Sequence, residues 1–348
     1  MAVLLRMAMV FSAPSLSDDV FRYVWEGMLT STGGNPYVTA PAEFSPVGDD
    51  IHQRINHSHL SSIYPPLAMW FFALLSTISY SSVLFKVAMG LADALVAVVL
   101  ADCLRLRGKS LSLAWLYALH PLPIVETAGS GHLEPLAILP MMLGVWAHIR
   151  GKSGVFWLGL GALIKLLPGV LLLASLKRKP HYLVAVVLLA IISWAPFSAA
   201  GWKLTASFAV YAEHWSFNGS LFPILKLIFS EHARPIAVFL GAGCCGYGLF
   251  KKSLIEDKLL WITGGFILLS PTVHPWYCLW VWPPALLCGV RIWTWLITIV
   301  PLSYVALLSY DPVTLSWNPP LWPQLIEYTP LLLMLLYQSL KQRILPGP

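Results

Sequence analysis

The sequence predicts an all-α polytopic membrane protein, and its composition and length point to that class. Hydrophobic residues make up 57% of the 348 residues, whereas charged residues make up only 11%. Soluble domains carry about 25% charged residues, so we exclude a soluble enzyme and a disordered chain. The net charge of +6 is spread over short clusters between apolar runs, which argues against a nucleic-acid binder. At about 20 apolar residues per span, the length accommodates about 10–12 transmembrane helices.

The apolar N-terminal residues 1–12 are too few to cross the hydrocarbon layer, and we interpret them as the second half of a first span. Lysine and arginine are enriched in cytoplasmic loops. We therefore place the five short basic clusters in the cytoplasm: Arg105/Arg107/Lys109, Arg150/Lys152, Lys177/Arg178/Lys179, Lys251/Lys252 with Lys258, and Lys341/Arg343.

Residues 14–65 then form a long first extracytoplasmic loop. It carries six of the sixteen acidic residues: Asp18, Asp19, Glu26, Glu43, Asp49 and Asp50. Residues 66–80 are apolar but too short for a span, so we predict an interfacial helix on the outer side. We interpret residues 1–348 as one integral-membrane domain, with the transmembrane bundle at 83–340.

The span after the interfacial helix covers residues 83–104. Residues 154–176 begin and end at basic clusters and contain Pro168, which predicts a hairpin of two short helices with its tip near Lys165 on the outer side. The other predicted spans are 110–128, 133–149, 181–198, 235–250, 258–270, 276–290, 292–309 and 324–340, and they leave further outer loops at 199–234 and 310–323.

A pair of adjacent aspartates follows the first apolar run directly. In a helix, Asp18 and Arg22 share a face, as do Asp19 and Tyr23. A carboxylate at the membrane surface can act as a general base towards a hydroxyl group. The structural alternative is a solvated helix cap with a surface ion pair.

Other polar residues lie at the outer ends of predicted spans. His132 and Glu134 lie at a helix junction, with Glu126 in the preceding span, and Lys165 lies within an apolar run. Intramembrane ionisable residues favour a functional role, and a lysine there could bind a phosphate. The alternatives are a polar turn and a lysine that reaches the surface. Asp93 is expected to pair with Lys86 two turns earlier in the same helix.

Two further outer segments contain His274 with Trp276 and Tyr277, and Asn218. Aromatic residues at such positions are ordinary interface anchors, but His274 could donate a hydrogen bond to a phosphate or a sugar.

The five cysteines lie in or beside apolar runs and are interpreted as packing thiols. His52, His57 and His59 could chelate a metal, but no cysteine or acid spacing supports such a site. We predict no metal site, and a divalent metal cofactor stays an open alternative.

Six short motifs together resemble the GT-C class of integral-membrane glycosyltransferases. The likeness is greatest to bacterial polyprenol-phosphate-mannose-dependent mannosyltransferases, and it extends distantly to the first mannosyltransferase of GPI-anchor synthesis. The motifs occur in the family's order: SDDVFRYVWEG (17–27), GGNPY (33–37), YPPLAMWFFAL (64–74), AGSGHLEP (128–135), ALIKLLPG (162–169) and SPTVHPWYCLW (270–280).

The resemblance implies a GT-C-like bundle that takes a sugar, here mannose, from a polyprenyl-phosphate carrier on the outer face of the plasma membrane. An aspartate at the start of the first outer loop deprotonates a hydroxyl of a glycan or glycolipid acceptor, and the anomeric carbon is inverted. Family members tend to carry this base four residues before an aromatic residue. That spacing favours Asp19 as the base and Asp18 as an auxiliary acid.

We expect the donor's phosphate and sugar to be bound by polar and aromatic side chains of the outer segments: Arg22, Tyr64, His132, Glu134, Lys165, Asn218, His274, Trp276 and Tyr277. Glu134 stands where relatives often carry an aspartate, which argues against a metal bridge there. The short first span also departs from the family pattern.

Two other functional classes compete with the transferase. A transporter or flippase of a lipid-linked sugar commonly shows broken helices in matching halves, and only one broken hairpin is evident here. A structural subunit of an envelope assembly is the third alternative, and the density of acidic and aromatic residues in the outer loops argues mildly against it.

Overall fold

A computed structural model describes residues 1–44, 48–176, 181–311 and 316–344, and they are predominantly helical. The first helices are α1 (Ala2–Val10), α2 (Asp19–Ser31), α3 (Asp50–Gln53), α4 (Pro66–Ile78), α5 (Ser82–Leu106), α6 (Ser112–Leu119), α7 (Pro121–Pro123), α8 (Glu134–Ile149), α9 (Val155–Ile164) and α10 (Leu167–Ser175). They are followed by α11 (Tyr182–Trp194), α12 (Lys203–His214), α13 (Phe222–Phe229), α14 (Ala233–Phe250), α15 (Ile255–Leu269), α16 (Trp282–Cys288), α17 (Ile292–Ile299) and α18 (Trp322–Ile344).

Short 3₁₀-helical segments and one π-helical segment of the described residues connect several of these helices. The 3₁₀ segments are Pro41–Glu43, Ala195–Ala200, Ser230–His232, Pro275–Trp280 and Val300–Ser309, and the π-helical segment is Ile124–Gly129. A two-stranded antiparallel ladder pairs β1 (Tyr310–Asp311) with β2 (Ser316–Trp317), with Tyr310 opposite Trp317.

Four continuous apolar segments of the described residues are long enough to cross a membrane: Ser82–Leu106, Tyr182–Ala200, Phe222–Phe250 and Ile292–Ser309. The helices α4, α8 and α9 are apolar but shorter. This confirms the all-α membrane class. The predicted span 110–128 is interrupted at His120, whose backbone is extended, because the ring of Pro121 disfavours the helical conformation of the residue before it. The number of crossings stays a prediction.

The two short helices and the break predicted within 154–176 are confirmed, while the outer position of the tip stays a prediction. Helix α9 ends at Ile164, Lys165 is extended, and α10 begins at Leu167. The predicted outer loop 199–234 contains α12 and α13 rather than irregular chain alone. The cluster Lys177/Arg178/Lys179 lies outside the described residues, as do the side chains of Lys341 and Arg343.

The chain divides into two compact units, residues 1–215 and 216–348. In the first unit, α2 packs closely on α4. The ring of Tyr23 stacks on Phe72 at 4.8 Å, and Ser76 Oγ donates to the Val24 carbonyl at 3.0 Å. In the second unit, α14 packs on α15, and α17 packs on α18. The prediction of one domain over 1–348 stays a prediction.

The expected pairing of Asp93 with Lys86 is wrong. Asp93 instead pairs with Arg6 of α1 and accepts a hydrogen bond from the Tyr117 hydroxyl at 2.6 Å. Arg6 also donates to the Ala118 carbonyl at 2.8 Å. A cation from a neighbouring helix satisfies the buried carboxylate, so the α5 lysine turns towards the Ser12 carbonyl.

Candidate active site

The aspartate pair lies at the N-terminus of α2. Asp19 is the first helical residue, and Asp18 precedes it without capping the helix through its side chain. The hydroxyl of Tyr23 donates to Oδ2 of Asp19 at 3.5 Å, at the limit of a hydrogen bond. This confirms that Asp19 and Tyr23 share a helix face. A carboxylate at this position also faces the positive end of the helix dipole.

His132 approaches Asp19 from the turn that precedes α8. Its Nδ1 atom is 3.7 Å from Oδ2 of Asp19, and its Nε2 atom is 3.4 Å from Oε2 of Glu126. The Gly131 backbone has φ +81°, and a Cβ there would lie 2.8 Å from Val20 of α2. Only glycine therefore allows the turn to approach α2 this closely.

Glu134 and Lys165 form the second charged pair of the site. The Lys165 ammonium donates to Oε1 of Glu134, the first residue of α8. Glu134 is fully buried, while the Lys165 side chain is 23% exposed. The break between α9 and α10 places the lysine at a helix end, where the pair can form.

Burial and nearby charges act on the two aspartates together. Burial raises the pKa of Asp19, and the charges of Lys165 and Arg22 partly oppose this effect. Burial also raises the pKa of Asp18, and the charge of Asp19 adds to it. The influence of Lys165 on Asp19 indicates that these two predicted residues lie near each other.

Two tyrosines line the same site. The rings of Tyr23 and Tyr64 meet edge to face at 5.1 Å. Burial raises the pKa of both hydroxyls well above the ordinary value. Both tyrosines therefore stay protonated at neutral pH, and the Tyr23 hydroxyl donates to Asp19. Tyr64 was predicted to bind the sugar donor. The charge of Asp19 contributes to the raised pKa of Tyr64, so the two side chains lie near each other.

Arg22, which was predicted to bind the donor's phosphate, contacts backbone carbonyls and a glutamate in the structure. Its Nη2 donates to the carbonyls of Asn56 and His57 at 2.7 and 2.9 Å, and its Nη1 donates to the Leu60 carbonyl at 3.0 Å. It also pairs with Glu26 at 3.4 Å. These contacts tie residues 56–60 of the first loop to α2, and the phosphate role of Arg22 stays a prediction.

The remaining predicted residues lie in the second unit and cluster there. The ring of His274 stacks on Trp276 at 4.3 Å and on Phe217 at 5.0 Å, and it meets Tyr277 edge to face. The neighbouring Asn218 is buried, and its amide donates to Glu327 at 2.7 Å. The aromatic side chains thus form one stack around His274, whereas Asn218 is engaged with α18.

Sequence reasoning did not assign a role to Glu126, which faces His132. An acidic residue in an apolar run was the available signal for Glu126. Glu126 and His132 are six residues apart, however, and side chains at that spacing do not meet on an α-helix. The π-helical turn over Ile124–Gly129 brings the two side chains together. Asn56, which hydrogen-bonds Asp19, was missed because it lies 37 residues further along the chain.

The metal expectation is not tested by the structure. In the described parts of the chain, no three histidine, cysteine, aspartate or glutamate side chains form a group that could hold a metal ion. His52 Nε2 donates to the Pro41 carbonyl at 2.8 Å, and His57 packs against Trp215.

Comparison with known proteins identifies a family that covers most of the first unit. A family model described as alpha-(1->6)-mannopyranosyltransferase, N-terminal domain, matches residues 2–196. No curated protein and no solved structure matches the chain. The match covers more than half of the chain and includes Asp19, His132, Glu134 and Lys165. It favours the transferase over the transport and scaffold alternatives, and the chain therefore belongs to the alpha-(1->6)-mannopyranosyltransferase family of membrane mannosyltransferases.

Proposed function

We propose that the protein transfers mannose from polyprenyl-phosphate mannose to a hydroxyl group of a glycan or glycolipid on the outer face of the plasma membrane. The anomeric carbon is inverted in the reaction. The family description supports an α-(1→6) linkage, which makes a primary C6 hydroxyl the expected acceptor. The partners are the lipid-linked donor, the acceptor and the bilayer.

One observation carries this proposal. Asp19 pairs with His132 and Lys165 pairs with Glu134, and in each pair only the first side chain is partly exposed. The Asp19 side chain is 26% exposed and the Lys165 side chain 23% exposed, while their partners His132 and Glu134 are fully buried. An anionic base and a cation lie near each other, and each contacts a buried side chain that positions it. This arrangement suits a reaction between a hydroxyl and a phosphate ester.

In the proposed mechanism, Asp19 removes the proton of the acceptor hydroxyl. The hydroxyl oxygen forms a bond to the anomeric carbon as the bond between that carbon and the phosphate oxygen breaks. A phosphodiester becomes a phosphomonoester, so negative charge grows on the departing phosphate. Lys165 stabilises that charge, and Glu134 holds the lysine in place.

A lipid-linked donor is supported by the membrane character of the chain. The prenyl tail stays in the hydrocarbon layer, where it can pack against apolar helices by van der Waals contact. The outer-face assignment is supported by the basic clusters at the opposite ends of the predicted spans.

The test incubates purified protein with polyprenyl-phosphate mannose or GDP-mannose and a mannose-terminated acceptor, with and without chelator. We expect product from the polyprenyl donor only, with mass increased by one hexose and with the opposite anomeric configuration. Asp19→Asn should abolish transfer, because an amide cannot accept the proton. Asp50→Asn is the matched control, since Asp50 is exposed in the same loop.

Product from GDP-mannose alone would overturn the donor assignment. Wild-type rates in Asp19→Asn would overturn the base assignment, and retained configuration would overturn inversion.

A further inference from the structure

A buried glutamate lies behind the proposed base, with one histidine between them. Measured on the side chains, Glu126 is 1% exposed, His132 is 0% exposed and Asp19 is 26% exposed. Glu126 and His132 are therefore both buried, and of the three groups only Asp19 reaches the open side. The two carboxylates face opposite nitrogens of the same imidazole, at 3.4 and 3.7 Å. Such contacts are often long before substrate binds and shorten in the reacting complex.

The local backbone fixes the geometry of Glu126 and His132. The π-helical segment Ile124–Gly129 ends with the Ser130 N–H donating to the Val125 carbonyl at 2.8 Å, and directly after it the backbone N–H of His132 donates to the Glu126 carbonyl at 3.0 Å. Thr127 Oγ1 donates to the Pro123 carbonyl at 2.6 Å within the same turn. π-helical turns are rare and occur frequently at functional sites.

The tautomer of His132 decides how it acts on Asp19. A neutral imidazole carries one N–H donor and one lone-pair acceptor. If the Glu126 carboxylate accepts the N–H of Nε2, the lone pair of Nδ1 faces Asp19. The negative end of the imidazole dipole then disfavours the charged form of Asp19 and favours its protonated form.

We propose that Glu126 is a positioning residue that holds His132 as the Nε2–H tautomer, so that Nδ1 faces Asp19 and makes this carboxylate a stronger base. The inference rests on the proposed function of Asp19. The acceptor proton moves to Asp19 as the hydroxyl oxygen bonds to the anomeric carbon and the phosphate leaves. After product release, that proton passes from Asp19 to water.

Glu126→Gln reverses this arrangement without changing the side-chain size. The Asp19 carboxylate then attracts the N–H to Nδ1, and the glutamine amide donates to Nε2. Asp19 becomes a weaker base, so the acidic limb of the kcat/KM profile moves to lower pH. We expect kcat to fall about 10²-fold, the lower end of what a positioned general base contributes, with KM for the donor unchanged.

Two controls separate this role from a structural one. Glu256→Gln neutralises another buried glutamate, 1% exposed in α15, and should leave the acidic limb in place. In a His132→Ala background, Glu126→Gln should have no further effect on kcat, because the histidine that links it to Asp19 is gone. Additive losses in the double variant would overturn the proposal.

A measurement that needs no substrate decides the inference separately. Nitrogen-15 NMR of labelled histidines in detergent identifies His132 as the signals missing in His132→Ala. We expect the Nε2–H tautomer in the wild type and the Nδ1–H tautomer in Glu126→Gln. An Nδ1–H tautomer or a doubly protonated imidazolium in the wild type, or the same tautomer in both, would overturn the inference. A wild-type enzyme that fails to use polyprenyl-phosphate mannose would instead overturn only the proposed donor.

Discussion

At the residue scale, burial and charge act on Asp19 in opposite directions. Burial raises its pKa, whereas the neighbouring cations Lys165 and Arg22 lower it. The raised pKa makes Asp19 a stronger base than an aspartate in water. A base must be ionised to act, so transfer should fall as the pH falls through this raised pKa.

Replacing the cation at Lys165 should affect both the rate and its pH dependence. Lys165→Met removes the charge proposed to stabilise the leaving phosphate, and we expect kcat/KM to fall about 10²- to 10³-fold. It also removes a charge that lowers the pKa of Asp19, so the acidic limb should move to higher pH. Lys165→Arg should keep the limb near its wild-type position. Lys203→Met, at an exposed lysine of α12, is the control. An unchanged acidic limb in Lys165→Met would contradict the proximity of the two groups.

Glu26 makes the stability of the first loop depend on pH. Burial raises the pKa of this carboxyl from 4.5 to about 7, opposed by Arg22 and Ser62. The folded state thus binds a proton more tightly than the unfolded state. Its stabilising effect is complete below pH 4.5 and is lost as the pH rises through 7, by about 3 kcal/mol.

Glu26→Gln should remove this dependence. We expect the wild-type Tm to fall relative to that of the variant between pH 4.5 and 7.5, measured by thermal unfolding in detergent. Glu43→Gln, at an exposed position of the same loop, should follow the wild type. Parallel Tm curves for the wild type and Glu26→Gln would contradict the assignment.

At the scale of elements, the site depends on close packing of α2 against α4. A Cβ on Gly27 would lie 2.4 Å from the Phe72 carbonyl oxygen, which is backbone and cannot turn away. Ser62 contacts Glu26 of α2 at 3.0 Å, just before Tyr64 and α4. The spacing of these two helices therefore sets where Asp19 and Tyr64 lie.

Gly27→Ala should push α2 away from α4 and lower both stability and transfer. Overpacking of this kind costs about 1–3 kcal/mol. Gly241→Ala in α14 is the matched control, because a Cβ there meets nothing within 4 Å. That change should be neutral or slightly stabilising, since alanine favours helix over glycine. A Tm for Gly27→Ala equal to that of Gly241→Ala would refute the packing argument.

The buried network of Arg6, Asp93 and Tyr117 joins α1, α5 and α6. Asp93→Asn leaves the Arg6 guanidinium buried without its counter-charge, and we expect a loss of about 3–5 kcal/mol. Tyr117→Phe removes one hydrogen bond and should cost about 1 kcal/mol. Thermal unfolding of both variants in detergent measures the difference. Equal losses would show that the ion pair contributes no more than the single hydrogen bond.

At the scale of the whole molecule, the candidate active site lies within one compact unit. Asp19, His132, Glu134 and Lys165 belong to residues 1–215, and the family match ends within this unit at residue 196. The aromatic stack around His274 belongs to residues 216–348. We expect the first unit to carry the chemistry of transfer.

The orientation of the chain in the membrane can be tested with single cysteines. Ala42 and Ser110 are exposed, in the first loop and beside the first basic cluster. In intact cells, an impermeant maleimide should label Ala42→Cys but label Ser110→Cys only after permeabilisation. The unmodified protein, with its five native cysteines, sets the background. The reverse pattern would invert the proposed topology.

The sequence by itself determined the membrane class and the helix break at Lys165, and it proposed the residues of the candidate site. Apolar runs, proline positions and charge clusters are local properties that a linear pattern records. The motifs also identified Asp19, His132, Glu134 and Lys165, because charged residues in apolar surroundings are costly and need a reason.

Only the tertiary structure decided how these residues pair. Asp93 meets Arg6, 87 residues away, rather than the lysine on its own helix, and Arg22 meets the carbonyls of the first loop. Glu126 reaches His132 through a π-helical turn that spacing did not predict. The physical reason is that buried charges take the nearest available partner in space. That choice depends on which helices pack together, and helix packing is not recorded in the spacing of residues along the chain.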